Sequence, residues 1–304
     1  MKKSTLTLFS CILLLQFNFL SFYSESQTII EKDYDFSFVF LTDIHLQPER
    51  NAVQGFTQAI DRINNLNPDF VITGGDLIMD ALDVSYDRAD SLYTLYSEII
   101  KHFNMPVYNT LGNHEIFGIY RNTGPDTANP EYGEKMFEHR IGKSYYSFDY
   151  DGTKFMILNS VEDTQNGKYI GIVDQNQMDW IMKDLGKTDP NTPIVISTHI
   201  PFITAYAQKY EGSTIPNDST LVVANSYDVL RLYEGYNLKL VLQGHLHTVE
   251  DIYIDGINFI TGGAICGKWW KGANRGYEEG FLYITCRQGQ FDWEYVDYGW
   301  EVEN

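Results

Sequence analysis

Two closely spaced histidines follow a run of apolar residues late in the chain. The run Leu238 to Leu242 has the composition of a buried strand, and Gly244-His245-Leu246-His247 comes shortly after it. Alternate residues of an extended chain point to the same side, so the two imidazoles are expected to lie next to each other. Neutral histidine nitrogen is a common ligand of transition metals in proteins. The pair alone does not distinguish a metal site from ordinary core or surface histidines, so the evidence must come from other motifs.

Four other motifs with metal-ligand side chains stand earlier in the chain, each after a segment that we predict to be a strand. Five of the seven histidines lie in the complete set. In chain order the motifs are Asp43-Ile44-His45, Gly75-Asp76, Gly112-Asn113-His114-Glu115, His199 and Gly244-His245-Leu246-His247. Because ligand sites of open α/β sheets lie beyond the carboxyl ends of strands, we expect the motifs to meet at one place.

The candidate ligands are imidazoles, carboxylates and one amide, with no sulfur. This mixture suits manganese, iron or zinc better than magnesium, calcium or copper(I). Seven such side chains exceed what one ion uses, and a carboxylate such as Asp76 can bridge two ions. The sequence therefore predicts two divalent transition-metal ions, Mn, Fe or Zn.

The elements that must position these motifs alternate between strands and helices. Strands are predicted at residues 36–41, 70–73, 107–110, 144–150, 154–159, 193–197 and 238–242. Apolar residues at helical spacing predict helices over residues 53–63 and 92–103, a helix capped by Asp174, and a short helix around residues 229–233. A long loop is expected at residues 116–143, beside the site. The pattern is typical of one α/β domain that ends in antiparallel strands.

Residues 1–26 have the pattern of a secretory signal peptide. Lys2 and Lys3 are followed by an apolar stretch from Leu6 to Phe22, and small residues stand near Ser26. We therefore predict cleavage there, a mature domain of residues 27–304, and a secreted or periplasmic location. An uncleaved membrane anchor is the alternative, because the apolar stretch borders on the length that spans a bilayer.

The mature chain is strongly acidic. Removing two lysines and one glutamate with the signal peptide takes the formal charge from −19 to about −20. Such a surface repels nucleic acid polymers and anionic membranes, which basic patches bind. No stable membrane span is expected after cleavage, and no motif indicates an oligomeric state. Cys266 and Cys286 would remain, either as one disulfide or as two buried thiols.

The motifs, their order and their position after strands resemble the calcineurin-like metallophosphoesterase superfamily over residues 36–259. The resemblance implies an α/β fold, a four-layer α/β/β/α sandwich with two mixed β-sheets. Met79 stands three residues after Asp76, where purple acid phosphatases carry a tyrosine ligand to iron. A coloured iron(III) site is therefore not expected.

The resemblance also implies roles for individual residues. The ligands that it assigns to the first metal are Asp43, His45 and His247. The ligands that it assigns to the second are Asn113, His199 and His245. Asp76 would bridge the two ions. His114 would be catalytic, by contacting the substrate phosphoryl group or protonating the leaving oxygen.

A glycine-rich loop carries the strongest signal outside the metal set. It contains Trp269, Trp270 and Lys271, which are candidates for a substrate-binding wall that is both aromatic and cationic. Packing of both tryptophans in the seam between sheet and loop is an equal alternative.

Other polar residues are more plausibly structural than functional. Asp80, Glu115 and Asp163 are candidates to orient the metal ligands, but ordinary solvated carboxylates are the more frequent case. His102 and His139 lie outside the motifs and are expected to be structural.

The predicted function is metal-dependent hydrolysis of phosphate mono- or diesters by hydroxide that two metal ions activate. A small soluble phosphorylated substrate is expected, because the charge is unfavourable for a polyanion. Two alternatives stay open. The chain could hydrolyse lipid-linked phosphate, or it could be a non-catalytic surface protein that binds metal.

Overall fold

The computed structural model describes residues 33–120 and 127–302. The predicted signal peptide, residues 1–26, lies outside the described residues, as do residues 121–126 of the predicted loop. In the described part of the chain, no helix combines the length and apolarity that crossing a membrane requires.

Two large mixed sheets form the centre of the molecule. In spatial order, the strands of the first sheet are β13 (Gln290–Asp297), β12 (Gly280–Arg287), β1 (Phe36–Leu41), β2 (Phe70–Thr73) and β3 (Val107–Tyr108). Those of the second sheet are β10 (Val249–Ile254), β11 (Ile257–Gly262), β9 (Asn237–Gln243), β8 (Pro193–Ser197), β5 (Thr153–Ile157) and β4 (Tyr146–Tyr150). A separate hairpin pairs β6 (Val161–Asp163) with β7 (Tyr169–Gly171).

Every strand that precedes a motif pairs in parallel with a neighbouring strand. Strands β1, β2 and β3 pair in parallel in the first sheet. Strands β5, β8, β9 and β11 pair in parallel in the second, and the remaining pairs are antiparallel. The carboxyl ends of the strands before each motif therefore share one edge of their sheet.

The helices largely follow the predicted pattern. They are α1 (Ala52–Leu66), α2 (Tyr86–Ile99), α3 (Lys135–Arg140), α4 (Gln175–Leu185), α5 (Tyr206–Tyr210) and α6 (Ser226–Arg231). Asp174 caps α4 as predicted, since its carboxylate accepts from the Gln177 N–H at 2.7 Å. Phe103 lies beyond α2, after a short 3₁₀ turn at Ile100–His102.

The prediction of an irregular loop over residues 116–143 was partly wrong. Helix α3 lies inside it and buries Met136 and Phe137. A helix of six residues is too short to show helical periodicity in the sequence.

The side chains of β1 alternate between two cores and so define the layers. Phe36, Phe38 and Phe40 point between the two sheets, where they meet residues of the second sheet. Val39 and Leu41 point the other way, into the core that contains the buried faces of the helices. The fold is therefore the predicted four-layer α/β/β/α sandwich with two mixed β-sheets.

Aromatic rings dominate the contact between the sheets. Phe38 stacks on Phe70 with ring centroids 5.1 Å apart, and it meets Phe155 edge-on at 5.5 Å. Phe155 in turn stacks on Phe148 at 4.9 Å. Each such pair stabilises the fold by about 0.5–1.5 kcal/mol beyond the area that it buries.

Cys266 and Cys286 are buried free thiols, so the disulfide alternative is wrong. Cys286 belongs to the core between the sheets, whereas Cys266 belongs to the core on the helical side. The two thiols therefore lie in different layers.

We predict that Phe38→Ala lowers the free energy of unfolding by about 3–5 kcal/mol, because it removes a fully buried ring and leaves a cavity. Urea unfolding followed by circular dichroism measures this loss. The matched control is Tyr253→Ala, whose ring is 68% exposed and which should change stability by less than about 0.5 kcal/mol. Equal losses in both variants would contradict the importance of the inter-sheet core.

Candidate metal centre

The five motifs meet at one edge of the sandwich, where both sheets contribute strand ends. Backbone hydrogen bonds hold the motifs of one sheet together, for example from Asp43 N to Gly75 O at 3.0 Å. Others cross between motifs of the second sheet, as from Gly244 N to His199 O at 2.9 Å. The His199 ring also donates from Nδ1 to Gly74 O at 2.7 Å, so it links the two sheets.

Three predicted ligands form a first group of donor atoms. The Nε2 atoms of His45 and His247 lie 3.1 Å apart. Asp43 Oδ1 is 3.2 Å from His247 Nε2 and 3.9 Å from His45 Nε2. All three side chains are buried.

A second group lies on the other side of Asp76. His199 Nε2 is 3.1 Å from Asn113 Oδ1 and 3.2 Å from His245 Nδ1. Asp76 Oδ2 is 3.2 Å from His199 Nε2 and 3.6 Å from His45 Nε2. One carboxylate oxygen is thus within reach of both groups.

The chemistry of these atoms fits bound cations. Nδ1 of His247 donates to Gly267 O at 2.6 Å and Nδ1 of His199 donates to Gly74 O, so each ring in its neutral form turns a lone pair inward. Lone pairs and carboxylate oxygens at these distances repel unless positive charge lies between them. Asp43 Oδ1 is buried and has no hydrogen-bond partner among the described residues, which leaves it free to bind a metal.

The titration behaviour of the group shows the same attraction for positive charge. Burial opposes ionisation of Asp76, but His199 and His114 outweigh it and hold the pKa of Asp76 well below its usual range. Burial likewise disfavours protonated His199, yet Asp76 raises the pKa of His199 to about 9. In contrast, burial and the neighbouring His199 lower the pKa of His245 to about 4.

Several ligand residues have a backbone conformation that non-glycine residues rarely adopt. The left-handed ligand residues, with φ between 45° and 73°, are Asp43, His45, Asp76, His245 and His247. Such residues cost on the order of 1 kcal/mol or more each and are concentrated at functional sites. The conformation turns the chain sharply at each strand end and directs the side chains into one small volume.

Glycines are required where motif backbones approach one another closely. A Cβ atom at Gly112 would overlap the backbone nitrogen and carboxylate of Asp76. One at Gly244 would overlap the Thr42 hydroxyl and contact the Asp43 carboxylate. The glycines of these two motifs therefore allow the candidate ligands to come together.

Glu115 is not an ordinary solvated carboxylate, although the sequence alone favoured that interpretation. It is fully buried, and Oε2 accepts from Asp76 N at 3.0 Å and Gly112 N at 2.7 Å. Oε1 accepts from Leu77 N at 2.8 Å and Ile78 N at 3.2 Å. Burial and the Asp76 charge raise the pKa of Glu115 to about 8. Glu115 therefore fixes the backbone that carries Asp76.

His114 lies beside His45 and Asp76 and is partly exposed. Its Nδ1 donates to Met79 O, and its Nε2 is 4.0 Å from Asp76 Oδ2. Its ring centroid is 4.5 Å from that of His45. The three side chains His45, Asp76 and His114 are also close enough to hold an ion, so geometry allows His114 to face either a metal or the substrate.

The two tryptophans of the glycine-rich loop have different environments. Trp270 is buried, and its indole Nε1 donates to Ile44 O and His45 O. The burial of Trp270 agrees with the alternative that this ring packs in the seam between sheet and loop, so Trp269 is the better candidate for contact with a substrate. Trp269 is exposed, with its ring centroid 4.8 Å from that of His247. Lys271 is exposed on the same loop.

The other polar candidates hold surrounding structure. Asp163 accepts from the Tyr132 hydroxyl at 2.9 Å, and Asp80 accepts from Leu82 N at 2.7 Å. His102 and His139 are exposed side chains outside the ligand cluster.

Sequence reasoning missed two side chains that contact the site. The Tyr169 ring lies 6.3 Å from the His245 ring, edge to face, and Cys266 Sγ is 3.8 Å from His247 Nδ1. Tyr169 lies in a short hairpin without a motif, so nothing in its sequence neighbourhood pointed to the site.

Comparison with known proteins identifies relatives of the same type. The calcineurin-like phosphoesterase family model matches residues 36–249. The 3′,5′-cyclic adenosine monophosphate phosphodiesterase CpdA of Haemophilus influenzae is 22% identical over 238 residues, 74% of this chain and 75% of that protein. A probable cyclic nucleotide phosphodiesterase of Rhodococcus erythropolis is 24% identical over 238 residues, 75% of this chain and 70% of that protein.

Solved structures show the same fold. A dimetal phosphatase from Danio rerio superposes with a TM-score of 0.63 at 13% identity, covering 88% of this chain and 98% of that one. The purple acid phosphatase PPD1 of yellow lupin gives a TM-score of 0.54 at 18% identity, covering 86% of this chain and 51% of that one. The family match spans most of the chain, and the fold agrees with it. This chain therefore belongs to the calcineurin-like phosphoesterase family and is a metallophosphoesterase.

Proposed function

We propose that this enzyme hydrolyses phosphate mono- or diesters of small soluble substrates with the help of two divalent transition-metal ions. The observation that carries the proposal is the Asp76 carboxylate, which lies between two groups of nitrogen and oxygen donors. The relatives named as cyclic nucleotide phosphodiesterases support a small phosphorylated substrate. The formal charge of −19 disfavours a polyanionic one.

In this proposal each donor group would hold one ion. Asp43, His45 and His247 would hold the first. Asn113, His199 and His245 would hold the second. Asp76 would contribute to both positions. Ions bound there would supply Lewis acidity that lowers the pKa of a water molecule and neutralises charge on the phosphoryl oxygens.

The residues of the chain arrange this chemistry and complete it. Backbone N–H groups hold the carboxylates, as when Asp76 Oδ1 accepts from His114 N at 2.9 Å. Because the proposed ligands other than His245 are buried, we expect the reacting phosphate to approach from the side where the half-buried rings of His114 and His245 lie. Protonated His114 keeps its bond to Met79 O and turns an Nε2–H towards that side. It can then give this proton to the departing oxygen.

We further propose that residues 1–26 are removed during secretion, so that residues 27–304 form the enzyme outside the cytoplasm. The basic start, apolar stretch and small residues near Ser26 support this proposal.

The first prediction is that the reconstituted enzyme binds close to two manganese or zinc ions per chain, measured by elemental analysis. Asp76→Asn should lose at least one ion and nearly all turnover, because an amide bridges two cations poorly. His102→Ala, which removes an exposed histidine outside the motifs, is the matched control and should keep both ions. One ion or none in the wild-type enzyme would contradict the two-metal proposal.

A second prediction concerns the buried Glu115. Glu115→Gln should lower the free energy of unfolding by about 2–4 kcal/mol. The NH₂ group of the amide replaces one carboxylate oxygen and cannot accept hydrogen bonds, so two backbone N–H groups lose their acceptor. Metal affinity should fall by roughly 10–100-fold, as expected when groups that orient metal ligands are lost. Denaturant unfolding of the metal-free chain and metal titration measure the two effects separately. Glu98→Gln, at an exposed position, should change neither.

A third prediction tests His114. His114→Ala should keep both ions and lower turnover by about 10²-fold or more, since a proton donor to the leaving oxygen is lost. The loss should be smaller for a nitrophenyl ester than for an alkyl ester, because a good leaving group needs the proton less. His139→Ala is the control on an exposed histidine. Loss of an ion in His114→Ala would instead identify His114 as a ligand.

A further inference from the structure

Trp269 displays a large aromatic ring at the edge of the metal centre. The side chain is 38% exposed, and its ring centroid lies 4.8 Å from His247 and 6.1 Å from His45. Its backbone has a φ of 51°, in the left-handed region that bulky residues avoid. The fold thus holds an exposed indole in an unfavourable conformation, and such strain at a site indicates a function.

The loop around Trp269 is anchored firmly on both sides. Trp270 N donates to Cys266 O at 2.7 Å, and Lys268 N donates to Gly272 O at 2.8 Å. The buried Trp270 indole is also hydrogen-bonded to the backbone of His45. Because its neighbours are tied to a ligand residue, Trp269 keeps a fixed position relative to the donor groups. A ligand that stacks on it does not have to order the loop first.

Trp269 and His114 lie at the same end of the donor set. Both rings flank His45, with centroids 6.1 Å and 4.5 Å from it. Tyr169 instead flanks His245, in the second group. If His114 protonates the leaving oxygen, the organic group on that oxygen leaves the phosphate towards the end where Trp269 is exposed.

We propose that Trp269 stacks on a planar ring of the leaving alcohol, so that phosphoesters of nucleosides are the preferred substrates. This inference rests on the proposed function, which supplies the phosphoester site. Stacking of a base on an aromatic side chain corresponds to about a ten-fold or greater gain in affinity. The stacked ring makes the same contact in the bound substrate and in the transition state. The gain in affinity therefore lowers KM more than it raises kcat.

The test compares ligands that differ only in the base. Isothermal titration calorimetry of the manganese-reconstituted chain measures binding of the 5′-methylenephosphonate analogues of adenosine 5′-monophosphate and of ribose 5-phosphate, which the enzyme cannot hydrolyse. The wild-type chain should bind the nucleotide about ten-fold more tightly or better. Trp269→Ala should remove this advantage, and Trp269→Phe should restore most of it. Tyr227→Ala, which removes a ring that is 70% exposed on α6, is the matched control and should keep it.

Two results would overturn the inference. One is an advantage for the nucleotide that persists in Trp269→Ala. The other is loss of a metal ion in Trp269→Ala, which would mean that the indole supports His247 and does not contact the substrate.

A parallel turnover assay separates the inference from the proposed function. It compares adenosine 3′,5′-cyclic phosphate with methyl riboside 3′,5′-cyclic phosphate, which has the same reacting atoms and no base. The ratio of the KM values should favour the nucleotide in the wild-type enzyme and approach one in Trp269→Ala. A chain that binds nucleotides through Trp269 but hydrolyses no phosphoester would uphold the stacking contact, but it would contradict the proposed function and the assignment of nucleoside phosphoesters as substrates.

Discussion

The structure depends on one electrostatic constraint: buried lone pairs from both sheets are held within 3.1–3.9 Å of one another. In a low-dielectric interior, such atoms repel strongly unless positive charge neutralises them. Protonated histidines can supply part of that charge, as the raised pKa of His199 indicates. The two metal ions that we propose would satisfy the constraint more completely, because they would also use the inward lone pairs of the histidines. Metal binding would then stabilise this edge of the fold.

The fold overcomes this repulsion with rigid surroundings. The aromatic core between the sheets fixes the strands that end at the site. For example, Phe38 of β1 stacks on Phe70 of β2, and both strands lead into motifs. Backbone N–H groups converge on Glu115, which holds the turn that carries Asp76. Left-handed residues and close-packed glycines then concentrate in the motifs. Strain is tolerated there because the packing around it leaves few alternatives.

Much of this arrangement could be predicted from sequence, and the exceptions have physical causes. Apolar runs predict strands β1 and β2, and the N-cap residue Asp174 predicts the start of α4. The motifs that follow strands predict the position of the candidate metal centre. The sequence named Glu115 as one of three candidates to orient the ligands but could not single it out, because its four donors become neighbours only after folding. The same holds for Trp269 and Trp270, adjacent residues of identical type, since only tertiary packing decides which ring is buried.

The positions of these residues separate metal binding from recognition of the substrate. The ligand groups follow directly from strand ends, whose geometry the two sheets determine. Trp269 and Tyr169 reach the same centre from a loop and a small hairpin, which the sheets do not constrain. Residues on such connections can change without disturbing the ligands. If these residues determine the choice of substrate, related proteins can share the metal centre and still act on different phosphoesters. The exposed ring of Trp269 is then the place where this enzyme recognises its own substrate.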